Sequence, residues 1–112
     1  MEVVMSGAGA LDAPFTMTSA ESLLITLKIV DGATPSDYSW SYDLKGCQSL
    51  SLTEANGITV DDGTMMVTID PGSEYRLAPG NYEHGCVVVH KITQQAQQIF
   101  DGCGTVTRSP NT

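Results

Sequence analysis

The residues with the most chemical potential lie on one short run, His84, Cys86 and His90. Their even spacing puts all three on one face if the run is a strand, with His84 and Cys86 about 7 Å apart along the backbone. Imidazole and thiolate are zinc ligands, but a structural zinc site takes four ligands, usually from two closely spaced pairs. A fourth would have to come from Cys103 or an Asp, and no spacing in the chain demands one. The same residue types could serve nucleophilic catalysis, which needs Cys or Ser beside a His and an orienting carboxylate. No Gly-x-Ser-x-Gly elbow is present, and no Gly-rich loop leads into a helix. Asp61 and Asp62 fall in a turn that supplies too few oxygen ligands for calcium. The reading is therefore of a non-enzymatic protein with no catalytic residue, no metal and no cofactor.

The element that carries His84 also carries the strongest architectural signal. Leu77-Ala-Pro-Gly-Asn-Tyr82 follows a first breaker at Asp70-Pro71-Gly72, leaving room for one turn and a corner. Such a corner takes a chain from one sheet of a sandwich to the other. Leu77 enters the core, and the Tyr82 hydroxyl finds a backbone partner. The run from Tyr82 to His90 is the strand that follows.

The rest of the chain alternates with the two-residue period of strands. Phe15 to Thr18 is a short strand. Ser22 to Asp31 is a long one, with Leu23, Ile25, Leu27 and Ile29 on one face. Tyr38, Trp40, Tyr42 and Leu44 share a face of the next strand, opposite Ser39, Ser41 and Asp43. Trp40 reads as core, with an exposed aromatic platform as the alternative. Leu50 and Leu52 point inward, with Cys47 outward. Asn56-Gly57 is a turn, Ile58 and Val60 a short strand, and Asp61-Asp62-Gly63 a tight hairpin. Met65, Val67 and Ile69 line the following strand. Ile99 to Thr107 closes the chain, with Phe100 and Val106 inward. Seven to eight strands with regular turns and no substantial helix predict an all-β protein, an immunoglobulin-like antiparallel β-sandwich over residues 15–108.

Residues 1–14 are small and only intermittently apolar, and read as an extended arm outside the core, with Val3, Val4, Met5 and Leu11 as candidate interface anchors. Fully extended, fourteen residues reach roughly 45 Å. Residues 109–112 read as a polar tail. If Tyr82 faces inward so does Cys86, whereas Cys103 faces out when Phe100 faces in. Residues on opposite faces cannot be bridged, although a bulge at Gly102 or Gly104 would flip Cys103. Cys86 is expected to be a small buried hydrophobe, and Cys47 and Cys103 outward thiols that are candidates for crosslinks between subunits.

Composition narrows the partners. The 112 residues carry a net charge of −8 with five Lys and Arg, which opposes binding to nucleic acid or to an anionic membrane surface. No apolar run approaches the roughly 18 residues of a membrane span. No Lys or Arg precedes a hydrophobic stretch at the N-terminus, so no export signal is expected. Three cysteines do not fit the even framework of a secreted disulfide scaffold.

Taken in order, several segments resemble small immunoglobulin-like structural proteins of tailed bacteriophages, including N-terminal domains of upper-baseplate and tail-fibre proteins. These are Glu21-Ser-Leu-Leu-Ile-Thr-Leu-Lys-Ile-Val-Asp-Gly32, Tyr38-x-Trp40-x-Tyr42, Asn56-Gly-Ile-Thr-Val-Asp-Asp-Gly-Thr64, the Leu77–Tyr82 corner, Ile99-Phe-Asp-Gly102 and Gly104-Thr-Val-Thr-Arg108. The first fourteen residues and the three cysteines depart from that pattern. The resemblance implies a virion component in the neck, tail, baseplate or capsid surface, made in the host cytoplasm. It would work as a homo-oligomer within a larger assembly, with copies of itself and other virion proteins as partners. The alternative is a carbohydrate or host-receptor binding module using Tyr38, Trp40, Tyr42 and Tyr75.

Overall fold

The computed structural model describes residues 2–5, 11–29 and 34–110, with the backbone alone for residues 2–5 and for Leu11. These form ten strands and one short 3-10 turn at Pro35–Asp37: β1 Glu2–Met5, β2 Leu11–Asp12, β3 Phe15–Thr18, β4 Ile25–Ile29, β5 Tyr38–Gly46, β6 Leu50–Thr53, β7 Ile58–Asp61, β8 Met66–Ile69, β9 Gly80–His90 and β10 Ala96–Thr107. One sheet runs β1-β4-β8-β7; the other runs β2-β10-β9-β5-β6, with β3 also on β10. The fold is the expected all-β sandwich, and β3 to β10 are its eight strands. Every pairing is antiparallel except those of the N-terminal segment: β1 with β4, and β2 and β3 with β10. No helix among the described residues is long and apolar enough to cross a membrane.

Alternation places the core as the period predicts. Leu23, Ile25, Leu27 and Ile29 are buried from the first sheet, and Trp40, Tyr42 and Leu44 from the second. Trp40 is 3% exposed and donates Nε1–H to the Pro35 carbonyl at 2.9 Å, so its one polar atom is paired inside the core. Leu77 is buried at the corner, and the Tyr82 hydroxyl donates to the Ala78 carbonyl at 2.7 Å. That bond staples the start of β9 to the turn before it.

One turn differs from the sequence reading. The β7–β8 connection spans the four residues Asp62 to Met65, and not a tight two-residue turn. Asp61 Oδ1 accepts from Gly63 N–H at 2.9 Å; Met65, not the glycine, takes the left-handed conformation at φ 55°. β10 carries a bulge between Gln98 and Phe100 and none at Gly102 or Gly104, the positions where one would have flipped Cys103. The extra residue lets adjacent Ile99 and Phe100 both be buried. Gln98 Nε2 donates to the Phe100 carbonyl at 2.6 Å and to that of Cys86 at 3.2 Å, filling the irregularity. Because the bulge precedes Phe100, Cys103 keeps its outward parity and is exposed, while Cys86 is buried.

The arm is the main correction. Its described parts, Glu2–Met5 and Leu11–Asp12, pair with β4 and β10 of the same chain, so these parts of the expected arm belong to the two sheets; residues 1 and 6–10 lie outside the described residues. At the other end Ser109 is buried and its N–H donates to Ser19 Oγ at 3.1 Å, so the tail begins inside the fold.

Replacing Tyr82 with Phe removes the corner's hydroxyl bond and leaves the ring. The expected loss is about 1 kcal/mol, seen as a lower urea midpoint with an unchanged slope. An unchanged midpoint would show that the bond contributes nothing.

Candidate functional site

β10 has small residues where the N-terminal chain passes. A Cβ on Gly102 would lie 2.7 Å from the Ala13 carbonyl, and one on Gly104 would lie 2.0 Å from the Phe15 ring. The missing side chains let residues 13–15 approach the strand directly, and the Phe15 ring covers the glycine it faces. β2 and β3 keep one register along β10, Leu11 opposite Phe100 and Phe15 opposite Gly104. Pro14 has no N–H to give, which interrupts the ladder between them. Ala13 N–H donates to the Asp101 carbonyl at 2.7 Å, and Ser19 N–H to that of Thr107 at 2.9 Å.

His84 closes this seat from the core side. It is 4% exposed, with Nε2 at 2.5 Å from the Ala13 carbonyl and Nδ1 at 2.9 Å from the Tyr42 hydroxyl. A carbonyl only accepts, so Nε2 carries the proton, and neutral Nδ1 accepts from Tyr42. Phe15, Tyr42 and Phe100 surround the ring at centroid distances of 4.8, 5.7 and 5.2 Å. Burial lowers the His84 pKa below its usual 6.5, and the Ala13 carbonyl and Asp101 oppose that in part. Burial likewise pushes the Tyr42 hydroxyl up.

The structure thus separates the three residues that share a face on β9. Cys86 is buried, and its thiol is pushed up to about 12, by burial first and then by Asp43; a thiol held protonated is neither nucleophile nor ligand. His90 caps the β9–β10 hairpin, Nδ1 accepting from Ile92 and Thr93 N–H at 3.2 and 3.3 Å, with its ring edge-on to Tyr38. Asp12, Glu83, Asp101 and Cys103 rim an open cleft beside His84. Among the described residues no group of three or more His, Cys, Asp or Glu is placed to hold a metal ion. Cys47 and Cys103 are exposed, as the candidate thiols require, with Cys47 Sγ 3.6 Å from the Pro79 carbonyl. Val3, Val4 and Met5 lie on β1 and Leu11 on β2; their side chains fall outside what is described. The residues that the sequence reading missed are Ala13, Phe15, Gly102 and Gly104. Their signal was two glycines at one parity in the closing strand, considered there only as places where a bulge would flip Cys103.

No family model matches the chain, and no curated protein matches it. Solved structures do match in fold. The N-terminal domain of phage TP901-1 ORF48 superposes with a TM-score of 0.53 at 8% identity, over 95% of this chain and 94% of that one. A protein from Bacteroides vulgatus whose description proposes a glycoside hydrolase matches with a TM-score of 0.51 at 14% identity. It covers 87% of this chain, which spans only 17% of that one. Both are similarities of fold.

The unfolded chain protonates His84 near its usual value, whereas the folded imidazole resists protonation. Its contribution to stability is therefore complete above that value and is lost as the pH falls through it toward the folded pKa. The urea midpoint is expected to fall between pH 7 and pH 5 more steeply for the native protein than for a His84→Gln variant, since all other titrating groups are shared. Parallel pH profiles would contradict the buried neutral imidazole.

Proposed function

We propose that this chain is a non-enzymatic structural protein of a tailed-phage virion, acting by self-association and docking in the neck, tail, baseplate or on the capsid surface. The observation that carries the reading is the end-to-end likeness to a phage N-terminal domain, over 95% of one chain and 94% of the other. The spent chemistry of the strand that drew attention first adds support: both His84 nitrogens are bonded inside the fold, and Cys86 is buried. What remains for contact is surface, including exposed Cys47 and Cys103 and the β9–β10 hairpin tip, where Ile92 stands 86% exposed.

The binding-module alternative is weakened, because Trp40 and Tyr42 are both core residues and cannot form a sugar platform. The glycoside hydrolase likeness concerns a small part of that larger chain and carries no activity across.

The test is mass spectrometry of gradient-purified virions of the phage whose genome carries this gene. The chain is expected in the particle band in multiple copies, retained after a salt wash. Its confinement to the soluble lysate would overturn the reading.

A further inference from the structure

The described parts of the N-terminal segment belong to both sheets. β2 and β3 lie in the second sheet, where His84, Gly102 and Gly104 seat residues 13–15. β1 lies at the edge of the first sheet, with β4 as its one neighbour in the strand order. The pairing is parallel over four positions, Glu2 with Thr26 through Met5 with Ile29. Between Met5 and Leu11 the sequence is Ser-Gly-Ala-Gly-Ala, with no long or branched side chain. From Met5 to Leu11 an extended chain covers at most roughly 20 Å, against about 10 Å between stacked sheets. A Gly-rich sequence of this kind has high chain entropy once β1 is released.

We propose that β1 is exchangeable between copies: the β4 edge of one molecule accepts Glu2–Met5 of a second in the same parallel register, each donating to the other. The occupant is a second copy because the register that fits this edge is already seen within the chain. The ladder is the same in the closed and exchanged forms, so the pairing energy cancels and the tether decides between them. A short tether holds β1 at an effective concentration of about 1 mM. Dilute protein is therefore closed, and molecules packed at comparable local concentration, as in a repeating assembly, exchange. The inference deepens the self-association half of the proposed function and rests on it only for that setting.

The experiment uses the full chain with Cys47→Ser and Cys103→Ser, and with Glu2→Cys and Thr26→Cys at facing register positions. It is oxidised at about 10 μM and about 2 mM, on either side of the effective concentration. Non-reducing mass analysis is expected to show an intrachain disulfide at the lower concentration and a covalent dimer at the higher. Deleting Gly7 to Gly9 shortens the tether's reach to about 10 Å, and is expected to bring the dimer into the micromolar range. Intrachain disulfide alone, at both concentrations and with either tether, would overturn the inference. So would a dimer seen by light scattering that lacks an interchain disulfide between the two introduced thiols, although self-association would then survive. The virion reading fails separately, by the chain's absence from purified particles.

Discussion

Where the N-terminal chain can run is decided by space on the inner side of β10. Without side chains at Gly102 and Gly104, the Ala13 carbonyl and the Phe15 ring lie where Cβ atoms would otherwise be. That closeness lets β2 and β3 complete the edge of the second sheet in parallel, and brings the Ala13 carbonyl within reach of His84. Pro14 sits at that edge, where its missing N–H costs no central ladder bond and discourages further strand addition. The edge is thus closed by the chain itself. The first sheet is bordered by β1, paired with β4 over four positions.

The same seat uses up the chemistry that the sequence offers. An imidazole with free nitrogens in a cleft would be a candidate base, but here one nitrogen donates to a backbone carbonyl and the other accepts from a buried phenol. Three aromatic rings exclude water from it. A buried polar group stays only where it is fully bonded, and among the described residues no buried side-chain N or O lacks a partner. His84 is therefore a structural bond between the leader and the core, and its acid sensitivity follows from that.

Much of the fold was legible because each signal was local. Period-two alternation located the inward faces of β4, β5 and β9; the Leu77 to Tyr82 corner supplied a turn, a plug and a hydroxyl in sequence. The parity of Cys86 and Cys103 held because the bulge falls before Phe100. The leader was illegible because its partners are distant: Leu11 pairs with Phe100, and Ala13 meets His84. A weakly apolar segment gives no sign of structure until the glycines that receive it are known. The β7–β8 turn was misread because Asp-Gly suggests a two-residue hairpin, whereas the Asp61 carboxylate bonds Gly63 and moves the left-handed residue to Met65.

The central claim is a division of labour at the N-terminal end: residues 13–18 are locked into the second sheet, and β1, on the proposal above, is held lightly on the first. Native-state amide hydrogen exchange reads this residue by residue. The amides of Ala13 and Ser19, bonded to Asp101 and Thr107 carbonyls, should exchange as slowly as those at the centre of β9. The β1 amides should exchange orders of magnitude faster, through release of that strand alone. Exchange of Ala13 and Ser19 at the rate of β1 would contradict the lock, and uniformly slow exchange from β1 onward would contradict the light hold.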